Sequence, residues 1–418
     1  MGANSETSKP IVRCQICDGD QLDSILFVGY MPPVNTMLTV GSVPTEQPAY
    51  PLEMLRCPKC TLVQIGLEVA PEVLFPESYP YLSGTTRILR ENFADLQRES
   101  TQLLDLKKGS FVVDVGSNDG TLLAPFAEAG CRVLGIEPSQ AGDVARAKGI
   151  DTLHDYFNRA TAKAVRKKYG QADLVTAANV FAHFGGIHDG VDGIVDLLAP
   201  GGVFVSESHY LLDLVKTLQY DTIYHEHLRH YSVGSLSKLL EMHGLEVFHV
   251  TRIPTHGGSI RVYAARKGQR PIQSSVAESR AEEEQAGITS GKAFGDFRSR
   301  VGRSKVDLYE LLAPIRGRGE RVFGVGAPSR ASTLVNYTGL DDGILDVVVE
   351  VSSSHKLGKY IPGTRIPVVD ESRLFAEQPA YALLLSWHIA DELAQNLRGK
   401  GFRGKFIVPL PEPAILDF

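Results

Sequence analysis

Apolar and polar positions along this chain change period from one segment to the next. Between about residues 79 and 267, apolar runs of strand length at 111–115, 132–136, 173–177 and 202–206 alternate with segments of helical period, such as 121–128 and 140–147. Strands buried on both faces read as continuous apolar runs, and each parallel crossover needs a helix. The alternation therefore predicts a parallel, doubly wound α/β sheet. Ser232 then opens a further helix, and Gly244 is its stop signal. Residues 272 to about 315 are charged and helical in period without sustained heptads, which predicts a helical connector. A second α/β pattern follows, with strands expected at 321–325, 344–351, 380–386 and 405–409, and the two α/β regions share no repeat of identities. The first 70 residues are different: rich in turns and prolines, and carrying four of the five cysteines.

Composition narrows the class. Of 418 residues, 43% are hydrophobic and 22% charged, which is ordinary for a soluble globular protein with several cores. The formal net charge of −6, with no basic block, argues against a nucleic-acid-binding face. No apolar run approaches the roughly 20 residues that span a bilayer. The start, MGANSETSKP, lacks the regions of a signal peptide, and its Ser5 falls one position short of a myristoylation signal. The expectation is a cytoplasmic protein with no membrane partner.

Cys14, Cys17, Cys57 and Cys60 form two Cys-x-x-Cys pairs. Each pair makes a turn that presents two sulfurs to one point, so four thiolates can close a tetrahedral zinc site. The gap from Cys17 to Cys57 puts the pairs on separate hairpins. Disulfides or redox thiols are the competing reading, and they suit a cytoplasmic enzyme poorly. Four thiolates leave no open position, so the predicted zinc is structural. Cys131, beside an apolar run, is expected to be a small buried hydrophobe.

The run Phe111-Val-Val-Asp-Val-Gly-Ser-Asn-Asp-Gly puts a strand before a glycine turn and a helix. Such a turn lets a ligand lie against backbone at the strand's carboxyl end. Glu137 ends the next strand, where a carboxylate can accept hydrogen bonds from both hydroxyls of a ribose. No Gly-Lys-Ser/Thr and no Gly-x-Gly-x-x-Gly follows the strand, which disfavours a triphosphate and NAD. Asp114, the turn residues Gly116, Asn118 and Gly120, and Glu137 together point to S-adenosylmethionine. Asn179 and His183, in Ala178-Asn-Val-Phe-Ala-His-Phe, follow the strand at 173–177 on the same edge. Asn179 reads as a cofactor contact; His183 reads equally as a substrate contact or a loop histidine.

Residues 221–234, DTIYHEHLRHYSVG, hold His225, His227 and His230 with Tyr224, Glu226, Arg229 and Tyr231. In an extended segment His225 and His227 would share a face and, with Glu226, could hold zinc or iron. No second cluster of acids lies nearby, and S-adenosylmethionine alkylation needs no metal. Acid/base catalysis and a structural polar loop are the other readings.

Taken together, the cysteine pairs, Val-Asp-Val-Gly-Ser-Asn-Asp-Gly, Asn-Val-Phe-Ala-His, Tyr-His-Glu-His-Leu and Thr-His-Gly-Gly-Ser resemble the nucleotide-sugar C-methyltransferases, which act on 4-keto deoxysugars of antibiotic and surface-glycan pathways. The resemblance covers nearly the whole chain. It implies an N-terminal zinc-binding domain over 1–70 and a Rossmann-like methyltransferase domain over 71–270. A helical connector and a C-terminal Rossmann-like domain that contributes to nucleotide-sugar binding would occupy 271–418. It implies that Glu137 holds the cofactor ribose and the turn from Gly116 to Gly120 its methionine part. Tyr79 or Tyr81 would be the active-site tyrosine, with Tyr79 favoured and Tyr81 then a substrate contact. His183, Tyr224 and Glu226 would surround the sugar, with His227 as general base. His256, Gly257 and Ser259 in the Thr-His-Gly-Gly-Ser segment, and Lys356 near Gly358-Lys-Tyr-Ile-Pro-Gly-Thr, would meet the substrate. His388 after Trp387, where asparagine is common, and Ser352-Ser-Ser before Lys356 depart from the family's pattern and bear on which sugar is used.

The chemistry agrees with the residue types. Carbon becomes nucleophilic only after losing a proton, so a ketone's α-carbon needs a base near its working pH and donors at the developing enolate oxygen. Tyr224 or His183 could be that donor, and Glu226 could orient a histidine or bind a hydroxyl. Oxygen or nitrogen acceptors already carry a lone pair and need less. Arg261 and Arg330, each near a glycine turn, are candidates for the diphosphate of a dTDP-linked substrate. An O- or N-methyltransferase and a non-catalytic cofactor-binding protein are the alternatives; monomer is the expected state.

Overall fold

The computed structural model describes residues 7–75 and 82–416. In the N-terminal part, β1 (Ser8–Pro10) pairs with β5 (Leu67–Val69), while β2 (Asp23–Met31), β3 (Tyr50–Arg56) and β4 (Val63–Ile65) form an antiparallel sheet. A fourth strand of that sheet, β11 (Arg229–His230), arrives from the middle of the chain and pairs with β4. The residues directly after His227 are thus part of the cysteine-bearing sheet.

The central sheet has the order β12-β13-β10-β9-β6-β7-β8. Its parallel part is β6 (Phe111–Val115), β7 (Arg132–Ile136), β8 (Thr152–Leu153), β9 (Ala172–Ala178) and β10 (Leu198–His209). A hairpin of β12 (Leu245–Ile253) and β13 (Ser259–Arg266) closes one edge antiparallel to β10. β7 and β9 flank β6 on opposite sides, so the order reverses at the carboxyl end of β6. In an open α/β sheet this is where ligands bind.

The C-terminal sheet repeats the principle with β14 (Val322–Val325), β15 (Val347–Glu350), β16 (Val368–Asp370), β17 (Tyr381–Leu384) and β18 (Lys405–Val408) parallel, and β19 (Ala414–Leu416) antiparallel on the edge. Its order, β16-β15-β14-β17-β18-β19, reverses at β14.

All eight expected strands are present, two of them (111–115 and 132–136) with the expected ends and the others shifted. The strand expected at 202–206 runs from Leu198 to His209, because polar Ser206, Glu207 and Ser208 stay buried between two neighbouring strands. The β12–β13 hairpin breaks the apolar pattern with His249, Thr251 and Arg261, whose polar groups are bonded internally. The helix opened by Ser232 is Val233–Met242, with Ser232 and Ser235 forming a reciprocal capping box. The expected connector comprises helices Ser274–Gln285 and Ala293–Gly317, and the second buries Phe294, Phe297, Val301, Leu308, Leu312 and Ile315 in the common core. Cys131 is only partly buried, at the rim of a core cluster, because it immediately precedes the exposed end of β7.

Asp221, fully buried, fastens the last two sheets together. Arg330 grips it through Nε and Nη2, both at 2.7 Å, and Trp387 Nε1 donates to it at 2.8 Å. Removing one partner of a buried ion pair leaves a charge without compensation. Arg330→Ala is expected to lower the unfolding free energy by about 3–5 kcal/mol, read from urea titration; a loss under about 1 kcal/mol would put the pair in the range of exposed ion pairs.

Candidate active site

The two Cys-x-x-Cys turns adopt the same conformation. In one, Asp18 N–H donates to Cys14 O at 3.0 Å; in the other, Thr61 N–H donates to Cys57 O at 3.0 Å. Asp18 (φ 53°) and Thr61 (φ 62°) both take the left-handed conformation that closes the turn. All four sulfurs lie within 4.8 Å of one another. Cys14 and Cys60 are 3.3 Å apart at Sγ, and Cys17 and Cys57 are 3.5 Å apart. These separations exceed the ~2.05 Å of a disulfide and approach the edge of about 3.8 Å expected for a tetrahedron with 2.3 Å zinc–sulfur bonds. The donor set fits one four-coordinate, structural zinc.

A cavity of about 1020 Å³ opens at the carboxyl end of β6 and reaches the C-terminal sheet. Gly116 (φ 69°) lines it; a Cβ there would fall 2.5 Å from Val180, so only glycine fits. Glu137, 7% exposed, accepts N–H bonds from Asn118 and Ser139, each at 2.9 Å. Each carboxylate oxygen keeps a second lone pair for a hydroxyl. Asn118 and Asn179 also line the cavity, with His154, Tyr156 and Phe157 beyond Glu137. Tyr156 is 62% exposed, an aromatic face at the cavity wall that the sequence reading missed. A carboxylate for a ribose beside an aromatic wall and an open backbone turn fits S-adenosylmethionine.

Asp114 and Gly120 are not in the cavity wall. The Asp114 carboxyl lies behind the turn, bonded to Thr176 Oγ1 at 2.6 Å; burial, with Glu137 and Glu207 near, pushes its pKa up to about 7. Gly120 is a packing position, where a Cβ would crowd Ala145 and Ile150.

The stretch 221–234 is almost wholly buried rather than a solvated loop. Its histidines diverge: His225 turns to Pro51 O (3.3 Å) and Tyr50, while His227 Nδ1 bonds Thr222 O at 2.8 Å. Among the described residues only the four cysteines bring three or more ligand atoms together, so the His225–Glu226–His227 metal reading fails. A carbonyl can only accept. Nδ1 of His227 therefore carries the proton, and neutral His227 has its lone pair at Nε2. Burial, with His183 and His230 near, holds its pKa well below the ordinary imidazole value. The Tyr224 ring lies 4.0 Å from that of His227.

His183 Nδ1 likewise donates to Glu226 O at 2.7 Å, and burial pushes its pKa down to about 4. The His183 ring bonds the backbone of both Glu226 and Asn179, which leaves Tyr224 the better donor to an oxyanion. His183, Tyr224, Glu226 and His227 all line the cavity. Tyr79 and Tyr81 lie outside the described residues.

The remaining expected residues divide. His256, Arg330 and Lys356 line the cavity; Gly257, Ser259 and Arg261 do not. Gly257 and Ser259 shape the turn that holds His256 at φ 57°, a costly conformation for a non-glycine residue. Arg261 is 1% exposed and bound to Glu207, Glu99 and Asn92, so it has no face for a diphosphate. Its side chain leaves β13 on the side of Glu207, its register partner in β10. Lys356 Nζ donates to Ala327 O at 2.5 Å, and burial lowers its pKa. His209 was not anticipated: it ends β10, with its ring 5.2 Å from His227 and 5.0 Å from His256. A polar residue at the carboxyl end of a parallel strand is the signal that could have found it. His388 also lines the cavity.

A doubly wound sheet, a cofactor turn at its switch point and a large cavity beside it define an S-adenosylmethionine-dependent methyltransferase. Sequence comparison agrees in all three parts. Residues 14–75 match a zinc binding domain family, residues 87–250 a "Methyltransferase domain", and residues 254–411 the "C-methyltransferase C-terminal domain". C-methyltransferase NovU of Streptomyces niveus is 33% identical over 414 residues, covering 98% of each chain. An ubiquinone biosynthesis O-methyltransferase of Shewanella halifaxensis is 35% identical over 103 residues, 23% of this chain and 43% of that one. Among solved structures, magnesium protoporphyrin IX methyltransferase (ChlM) of Synechocystis covers 43% of this chain and 79% of its own, at 16% identity and a TM-score of 0.33. The chain belongs to the S-adenosylmethionine-dependent C-methyltransferases that carry an N-terminal zinc-binding domain. No helix among the described residues is long and apolar enough to cross a membrane.

Proposed function

We propose that the protein methylates the carbon next to the ketone of a nucleotide-linked, dTDP-type 4-keto-6-deoxyhexose, with His227 as base. The observation that carries this reading is the His227 ring. Its Nδ1–H is spent on Thr222 O, which leaves the lone pair on Nε2, and the residue lines the same cavity as the cofactor turn. Proton abstraction by Nε2 breaks the α-C–H bond and leaves the electron pair on an enolate. Tyr224 donates to the enolate oxygen, and Glu226 accepts from a sugar hydroxyl. Bound S-adenosylmethionine supplies an electrophilic methyl group. Glu137 and the Gly116 turn fix its orientation, and His183 holds the backbone of Glu226. Lys356 and His256, at the C-terminal side, suit the nucleotide end. The relative's C-methyltransferase name supports carbon over oxygen or nitrogen as acceptor.

The test is product analysis after incubation with methyl-labelled cofactor and a panel of nucleotide sugars. The expected product is a C-methylated 4-keto sugar nucleotide. A label found on oxygen or nitrogen, or transfer confined to substrates without a ketone, refutes the reading.

A further inference from the structure

Asn35 reaches the catalytic stretch from the cysteine-bearing part of the fold. It lies in the turn after β2, where Thr36 N–H donates to Pro33 O at 3.2 Å. Its Nδ2 donates to Glu226 Oε1 at 2.6 Å, across 191 positions of sequence. An ionised carboxylate can only accept, so the atom facing Glu226 is the amide nitrogen, and Ser329 Oγ, from the C-terminal part, donates to Asn35 Oδ1 at 3.4 Å.

The residues that follow are stitched to the C-terminal part by backbone. Val40 N–H donates to Gly358 O and Tyr360 N–H to Leu38 O, both at 2.8 Å, and Gly41 N–H donates to Tyr360 Oη at 3.1 Å. Residues 32–41 thus form a strap between the two end units, and Asn35 is where the strap touches Glu226. Glu226 itself is 3% exposed. His183, whose Nδ1 donates to the Glu226 carbonyl, and Lys356, whose charge couples to Glu226, are titratable groups beside it; Tyr224 and His227 on its own stretch, and Glu72, line the same cavity.

We propose that Asn35 is a positioning residue for methyl transfer, holding the Glu226 carboxylate ionised and in one orientation. An N–H donor favours the charged form of a carboxylate, and hydrogen bonds to charged groups are the stronger kind. The anchored strap places that donor, so the zinc-bearing unit and the last sheet jointly set the geometry of a residue that neither contains. The inference rests on the reading of Glu226 given above.

Asn35→Asp is isosteric and sets two carboxylates at hydrogen-bonding distance, where both cannot ionise together. The probe is protein with ¹³C-labelled glutamate carboxylates, the Glu226 signal being assigned by its loss in Glu226→Gln. Its titration is expected to move up by about one pH unit or more in Asn35→Asp. The acid limb of methyl transfer to a dTDP-4-keto-6-deoxyhexose should move with it. Asn35→Ala should lower kcat roughly tenfold with little change in KM. Tyr360→Phe removes only the Gly41 bond and leaves both backbone bonds that anchor the strap, so it should move neither the titration nor the profile. An unchanged titration and pH profile in Asn35→Asp, beside an inactive Glu226→Gln, overturns the role of Asn35 alone. Full turnover by Glu226→Gln overturns the reading of Glu226 and the role of Asn35 with it.

Discussion

His227→Asn is expected to abolish exchange of the substrate's α-proton in deuterated water and to lower kcat by roughly 10²–10⁴-fold, with cofactor affinity little changed. Asparagine is the informative replacement, because its amide N–H can keep the bond that Nδ1–H makes to Thr222 O at 2.8 Å. What it lacks is the Nε2 lone pair. Loss of activity with retained fold and cofactor binding therefore isolates proton abstraction. Exchange that continues in the variant would move the base elsewhere, with His209, whose ring is 5.2 Å away, the next candidate. The pH profile gives an independent check of sign. Burial holds the His227 pKa well below its ordinary value, so the ring stays unprotonated through neutrality. Activity falls as protonation removes this lone pair or neutralises Glu226, so the acid limb of kcat/KM belongs below pH ~6.5. A limb centred above that value would point to a different group.

What could be read from the sequence follows from how local each piece of chemistry is. The cysteine pairs, the Gly116 turn and Glu137 are each defined within a few residues, and their order along an α/β pattern fixes where they meet. Positions adjacent to a motif are harder. Asp114 and Arg261 lie one or two residues from turns that do shape the site, yet side chains alternate across a strand. Both face buried partners instead, Thr176 for one and Glu207 for the other. The Thr-His-Gly-Gly-Ser segment divides in the same way: His256 faces the cavity because its glycine neighbours make the turn. Asn35 is illegible by any local rule. Its meaning comes from a contact with Glu226 that exists only once the chain has closed on itself.

The same closure makes the zinc matter to a reaction in which it takes no part. Cys17→Ser with Cys57→Ser is expected to remove the metal, which wild-type protein should carry at about one zinc per chain, and to abolish methyl transfer. Such sites contribute their binding energy to folding, and here the folded unit continues into the stretch that holds His227 and Glu226. Arg229 and His230 are a strand of the cysteine-bearing sheet, paired with Gln64 and Val63. Ile65 N–H also donates to Leu228 O at 3.1 Å, one residue after His227. From the same unit, Ile16 O, between the first two cysteines, accepts a bond from His188 Nε2 at 2.9 Å. Without zinc, β4 loses its frame, and the register that fixes His227 and Glu226 goes with it. The cofactor turn is built on β6 and β7 of a different sheet, so S-adenosylmethionine binding should persist in the zinc-free variant. Calorimetric titration with S-adenosylmethionine beside the transfer assay separates the two effects. A zinc-free protein with full turnover would show that the His227 stretch holds its own geometry, and that its pairing with β4 is dispensable.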